Sequence, residues 1–276
     1  MSSQRLATEL LQHIVEKLGE DNETKEGLQA LVACSTTNSA LLDVSQKHIF
    51  RSVTLYDQVP ELPRPTPLDS DACYERTQLL LRTFQENPRF VPLAQSLSYY
   101  FSPGFSGRPG ALLDSIRQFA NVETLLVGFY ASPINRGVVA STFDEETLSA
   151  VFDIMKRPRF RKLVVDSVLS FQMEMIRGAP GMQELILRNS ASNWGASTIT
   201  LPPLNAPWSS SLKKLCVSPW LASGASMISL DIFASLERLE ISLLTQDLLM
   251  DFYVPLLEQT KGLRELDLTA RIPVDA

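Results

Sequence analysis

The 276-residue chain carries a formal net charge of −6 at a sequence pI of about 5.1, so no global positive field draws it onto nucleic acid or anionic lipid. With 45% hydrophobic and 20% charged residues it has ample apolar material for a large core, the opposite of a disordered composition. Three distant cysteines, Cys34, Cys73 and Cys216, include no Cys-x-x-Cys pair; they indicate neither a disulfide framework nor a structural zinc site, which suits a reducing compartment.

The first residues run directly into an amphipathic pattern with Glu9 and Glu16, not into a continuous apolar segment, so no secretory signal is read. Apolar stretches fall well short of the roughly 20 residues of a membrane helix, so no membrane partner is expected and the location is cytoplasmic or nuclear. Leu6, Leu10, Ile14 and Leu18 form one helical stripe, and Ala7, Leu11 and Val15 form the adjacent one. Further helical patterns follow at Leu28, Leu31, Val32 and at Leu41, Leu42, Val44. Three short helices cannot bury this much apolar surface alone, so the surplus docks on the rest of the chain or on a partner.

The helical region is expected over residues 1–52. Residues 53–92 then supply a first strand, a proline-rich loop and a helix. The loop, Val59-Pro60-Glu61-Leu62-Pro63-Arg64-Pro65-Thr66-Pro67, reads as an extended surface connector, although its spacing also permits a polyproline-type ligand. The helix is marked by Leu79, Leu80 and Phe84 and ends at Asn87-Pro88.

From residue 93 to 276 one short pattern dominates: apolar, two residues, leucine or similar, one residue, apolar. Clear copies are Val122–Val127, Phe160–Val165, Met182–Leu187, Leu212–Val217, Leu236–Ile241 and Leu263–Leu268, and looser ones are Phe50–Leu55 and Ala94–Tyr99. Their central residues, at 53, 97, 125, 163, 185, 215, 239 and 266, recur at intervals of 22 to 44. Helical spacing lies between copies, at Leu112, Leu113, Ile116, Phe119; at Leu148, Val151, Phe152, Met155; and at Leu248, Leu249, Phe252, Leu256, Leu257. Strand and helix alternating in one direction imply an α/β fold, a curved parallel sheet with helices on its convex side, in which each repeat touches its neighbours.

Along each strand the residues between the inward apolar positions point outward, to the concave side. One outward column reads Lys162, Glu184, Lys214, Arg238, Glu265, either a modest salt ladder or a solvated face. The next reads Leu126, Val164, Ile186, Cys216, then Glu240 and Asp267. Four apolar residues in a row make a candidate protein-substrate surface, unless the connection between Asn193 and Ser211 folds over them.

Residues 90–270 resemble leucine-rich-repeat proteins, whose repeats run at roughly 20–29 residues. The family's asparagine or cysteine, three residues after the last apolar position, is absent; in Met182–Ser190 an asparagine, Asn189, comes one residue early. The N-terminal stretches Leu6–Leu18, Leu28–Ser35 and His48–Leu55 resemble an F-box, and the whole chain is similar to fungal-type F-box proteins with degenerate repeats. The resemblance implies contact with the Skp-type adaptor of a cullin ubiquitin ligase through Leu6, Ala7, Leu10, Leu11, Leu31 and Cys34. Ala7 stands where the family has proline, and Thr37-Asn38-Ser39-Ala40 replaces its arginine–tryptophan region. A helical cap on a repeat scaffold with no ligase link is the alternative.

Catalysis has no positive signal. Two histidines, His13 and His48, lack metal-type spacing, and no phosphate-binding glycine loop or His-Glu-x-x-His occurs. The acidic run Asp144-Glu145-Glu146 after Thr142 reads as a helix start, its charge at the positive end of the dipole. A binding protein that is not an enzyme, with no cofactor and no metal, is the expectation.

Overall fold

The structure is a computed structural model that describes residues 8–21, 24–57, 70–101, 110–129, 145–166, 171–172, 176, 178–188, 192–193, 211–217, 235–243, 257–258 and 260–270. Three helices open the described chain: α1 (Thr8–Glu20), α2 (Lys25–Thr37) and α3 (Ser39–Ile49). Thr24 caps α2 by accepting from the Gly27 N–H at 3.0 Å, and Asn38 caps α3 by accepting from the Ala40 N–H at 2.9 Å. The apolar stripes of all three meet in a small core of Val15, Leu31 and Leu41, with Leu11, Leu18, Cys34, Val44 and Ile49 packed on it. A side chain at Gly19 would place Cβ 2.1 Å from His48 Nδ1, so glycine sets how closely α1 approaches α3.

Phe50 ends α3 and joins this unit to the rest. Its ring stacks on Phe90 at 4.5 Å between centroids and lies 5.9 Å from Phe84. Beyond it a single eight-stranded parallel sheet runs in chain order, its two edge strands apart and not closed into a barrel. The strands are β1 (Ser52–Tyr56), β2 (Ser96–Phe101), β3 (Thr124–Phe129), β4 (Lys162–Asp166), β6 (Glu184–Arg188), β8 (Lys214–Val217), β9 (Arg238–Leu243) and β10 (Glu265–Ala270). Two-residue strands β5 (Phe171–Gln172) and β7 (Ser192–Asn193), following β4 and β6, pair with each other in a separate ladder with no counterpart in the sequence pattern.

The central apolar positions of all eight copies stand side by side: Val53, Leu97, Leu125, Leu163, Leu185, Leu215, Leu239 and Leu266 are aligned by direct register. Before each strand a main-chain clip repeats. Two successive N–H groups donate to one carbonyl of the preceding copy, from Gln95 and Ser96 onto Arg51 through to Arg264 and Glu265 onto Glu237, at 2.7–3.1 Å over seven steps. These bonds need no particular side chain, which is how neighbouring copies are tied without an asparagine ladder.

Helices α4 (Ser70–Glu86), α5 (Gly110–Gln118) and α6 (Glu145–Met155), with a 3-10 turn over Pro88–Leu93, supply the other side of the core. Leu81, Phe84, Leu112, Leu113, Ile116, Leu148, Val151 and Ile154 pack with the inward strand residues in one continuous cluster. Each fully buried aliphatic side chain there contributes roughly 1.5–3 kcal/mol. On α4 the packing stripe differs from the expected one: Leu79 is 63% exposed, and Leu81 and Phe84 carry the contact. The helix expected around Leu248–Leu256 and the proline-rich segment 59–67 lie outside the described residues. At the β1 edge, the Tyr56 N–H donates to Thr77 Oγ1 of α4 at 3.0 Å.

Candidate binding surfaces

Because the core-facing residues alternate with outward ones, the sheet's opposite face is built from three columns running across the strands. In the first, Ser52, Ser96, Thr124, Lys162, Glu184, Lys214, Arg238 and Glu265 are in direct register. Its charged part is an ion-pair chain: Lys162–Glu184 at 3.0 Å, Glu184–Lys214 at 3.4 Å and Arg238–Glu265 at 3.0 Å. The two adjacent cations, Lys214 and Arg238, are bridged by Glu240 from the second column, at 3.0 and 2.8 Å. Burial pushes the Glu240 carboxyl up, but hydrogen bonds from Lys214 and Cys216 with the charges of Lys214 and Arg238 outweigh it and hold the group below its ordinary value. The hydrogen bond to Glu240 raises Lys214, and burial followed by Glu240 raises the Cys216 thiol.

The second column runs Thr54, Ser98, Leu126, Val164, Ile186, Cys216, Glu240, Asp267. Leu126, Val164, Ile186 and Cys216 are thus neighbours, as the alternation requires, but they are not one exposed patch. Val164 and Ile186 are only 4% and 7% exposed and lie outside the main core cluster, on the other side of the sheet. Their side chains are packing groups here, which corrects the expectation that all four offer themselves to a substrate; Leu126 and Cys216 remain partly exposed.

The third column brings together residues the sequence reading did not single out. Tyr56 and Tyr100 stack at 5.3 Å between centroids and 14° between planes. Tyr100 is followed in register by Gly128, Asp166 and Arg188. Burial, then the nearby Asp166 carboxylate, raises the Tyr100 phenol above its ordinary value, with Arg188 opposing. A signal existed: in both loose copies of the pattern, a tyrosine directly follows the last apolar residue.

On the helical unit, Leu6 and Ala7 lie outside the described residues. Leu10 is 47% exposed, Leu11 and Cys34 pack partly against the small core, and Leu31 is fully buried at its centre. Leu31 therefore holds the helices together and has no surface to give a partner. Ile14, Leu28 and Val32, not among the expected contact residues, are 45%, 40% and 45% exposed. With Leu10 they form i, i+4 pairs on α1 and α2.

Between α4 and α5 a cleft of about 170 Å³ is lined by Leu81, Phe84, Phe119, Gln85 and Gln118, among others. Among the described residues no group of three or more His, Cys, Asp or Glu could hold a metal ion, and no helix is long and apolar enough to cross a membrane. No family model matches the chain, and no curated protein matches it.

Proposed function

We propose that the chain is a protein-interaction subunit: a substrate receptor that binds the Skp-type adaptor of a cullin ubiquitin ligase through α1 and α2 and a protein substrate on the outer face of the sheet. On this reading the sheet is a leucine-rich-repeat-like solenoid, and its outer face is the concave one. The observation that carries the reading is the pair of apolar couples Leu10/Ile14 and Leu28/Val32, each residue at least 40% exposed, on a helical unit that already has its own core. Such surface is surplus to folding and fits burial against another protein. The protein would do no chemistry itself; it would raise the concentration of substrate beside a charged enzyme.

Co-expression with a Skp-type adaptor tests this directly. A stoichiometric complex is expected with the intact chain, and loss of it with Leu10→Asp plus Ile14→Asp. No complex, or a complex indifferent to both substitutions, overturns the reading. One observation favours the second reading, a helical cap without a ligase link: Phe50 is stacked into the main core through Phe90. Removing residues 1–49 discriminates, because loss of a cap unfolds the repeats whereas loss of an adaptor module leaves their cooperative transition intact.

A further inference from the structure

We propose that the free edge of β10 takes up an antiparallel strand from a partner polypeptide, with a basic residue beside Asp267 and apolar residues opposite Leu266 and Leu268. The inference goes beyond adaptor binding and does not depend on it.

The two edges of the sheet differ. At β1 the Tyr56 N–H is taken by Thr77 Oγ1, and Val53 and Leu55 are buried. At β10 the Glu265 N–H donates back to the Glu237 carbonyl, so alternation turns the main-chain groups of Leu266 and Leu268 away from β9. Among the described residues no strand lies beyond β10, and no main-chain group pairs with these. A row of main-chain donors and acceptors at strand spacing has its complement in another main chain, which argues for a polypeptide. Antiparallel pairing is the more stable ladder per residue, and it would place Leu266 and Leu268 in the doubly bonded pairs.

The side chains supply the recognition. Leu266 and Leu268 are exposed, although they continue the inward columns of the buried Leu239 and Ile241. Apolar residues on an added strand would extend the same two columns and shield them from water. On the outer face, the ion chain balances Lys162, Lys214 and Arg238 against Glu184, Glu240 and Glu265. Asp267 follows, exposed and in register with Glu240, and no described cation is paired with it. A lysine or arginine opposite it would continue the alternation of charge, at the closer side-chain separation of a non-hydrogen-bonded pair. A second copy of β10 fits poorly, because the antiparallel register that sets leucine on leucine also sets Asp267 on Asp267.

Fluorescence anisotropy of a labelled, end-blocked peptide, Ser-Thr-Val-Lys-Val-Thr-Ser, titrated with the intact chain tests this. Saturable binding is expected below about 1 mM. Replacing the lysine by glutamate should weaken it about three-fold or more, and high salt should narrow the gap. Backbone N-methylation of both valines, whose N–H groups would face β10, should weaken binding roughly ten-fold or more. Backbone N-methylation of the lysine, whose N–H would point away, should leave it unchanged. Asp267→Lys, at an exposed position, should reverse the preference and make the glutamate peptide the tighter ligand. No saturable binding, equal affinity for the two peptides, loss on methylating the lysine but not the valines, or a preference indifferent to Asp267→Lys overturns the proposal. So does dimerisation of the chain through β10 that excludes the peptide. Co-expression with the adaptor reads α1 and α2 alone, so failure of one assay is distinguishable from failure of the other.

Discussion

Lys214 and Arg238 face each other in register across β8 and β9, and Glu240, two residues on from Arg238, reaches back to hold both. Without that carboxylate two cations would stand at strand spacing, about 4.8 Å apart. Glu240→Gln keeps a hydrogen-bond acceptor and removes the charge, so it should lower stability by about 1 kcal/mol, an amount fitting a partly exposed network. Urea denaturation at low salt should show the loss, and high salt should narrow it. Because folding lowers the Glu240 value, its contribution is present above the carboxyl's ordinary range and disappears as pH falls through the folded value.

Acid should act on the helical unit by a second route. Burial, reinforced by the positive charges of Arg51 and Lys47 and opposed by Glu16, lowers the His48 imidazole from its ordinary 6.5. The folded state thus prefers neutral His48, packed where α1 carries Gly19. The unfolded chain takes up the proton first, so this contribution is complete above pH 6.5 and is lost as pH drops toward the folded value. Following the imidazole by NMR should place its midpoint below the ordinary 6.5. A His48 midpoint above it would contradict the packing.

Val164 and Ile186 should behave as core residues, although they share a column with Leu126. At 4% and 7% exposure, an aspartate in either place would be buried with its charge, at a cost of about 3 kcal/mol or more. Leu126→Asp, at a partly exposed site, should cost less than about 1 kcal/mol. Comparing the three unfolding midpoints checks this ranking; equal costs would mean the outer face is uniformly covered.

These residues also mark how far the sequence could be read. Period-two alternation placed all eight central apolar residues in one register and put Lys162, Glu184 and Lys214 in one column, because which face a strand residue points to is a local property. Whether that face is covered is not local. Nothing within Lys162–Asp166 distinguishes a Val164 open to a partner from one packed beneath another segment. The same holds for the helices: the spacing of Leu28, Leu31 and Val32 announces α2, but its crossing with α1 and α3 decides that Leu31 is inside and Val32 outside. Glu240 escaped as a bridge because only residues in the same column were compared, whereas a long side chain reaches diagonally to the next strand.

The last rung supplies the sharpest contrast in the core. Leu266 and Leu268 of β10 pair in register with Leu239 and Ile241 of β9 and occupy the same two inward columns. Yet Leu239 and Ile241 are 0% and 1% exposed, while Leu266 and Leu268 are 44% and 54% exposed. Burial sets the energy, so equal truncations should have unequal costs. Leu239→Ala should lose about 2–5 kcal/mol through lost transfer energy and the cavity left behind. Leu266→Ala removes a side chain that already touches water on one side and leaves no closed cavity, so its cost should stay below about 1 kcal/mol. Urea unfolding of the two variants measures the difference directly. A Leu266→Ala cost matching that of Leu239→Ala would mean that β10 is covered in solution by another surface, and the loss should then depend on protein concentration if that surface belongs to a second copy.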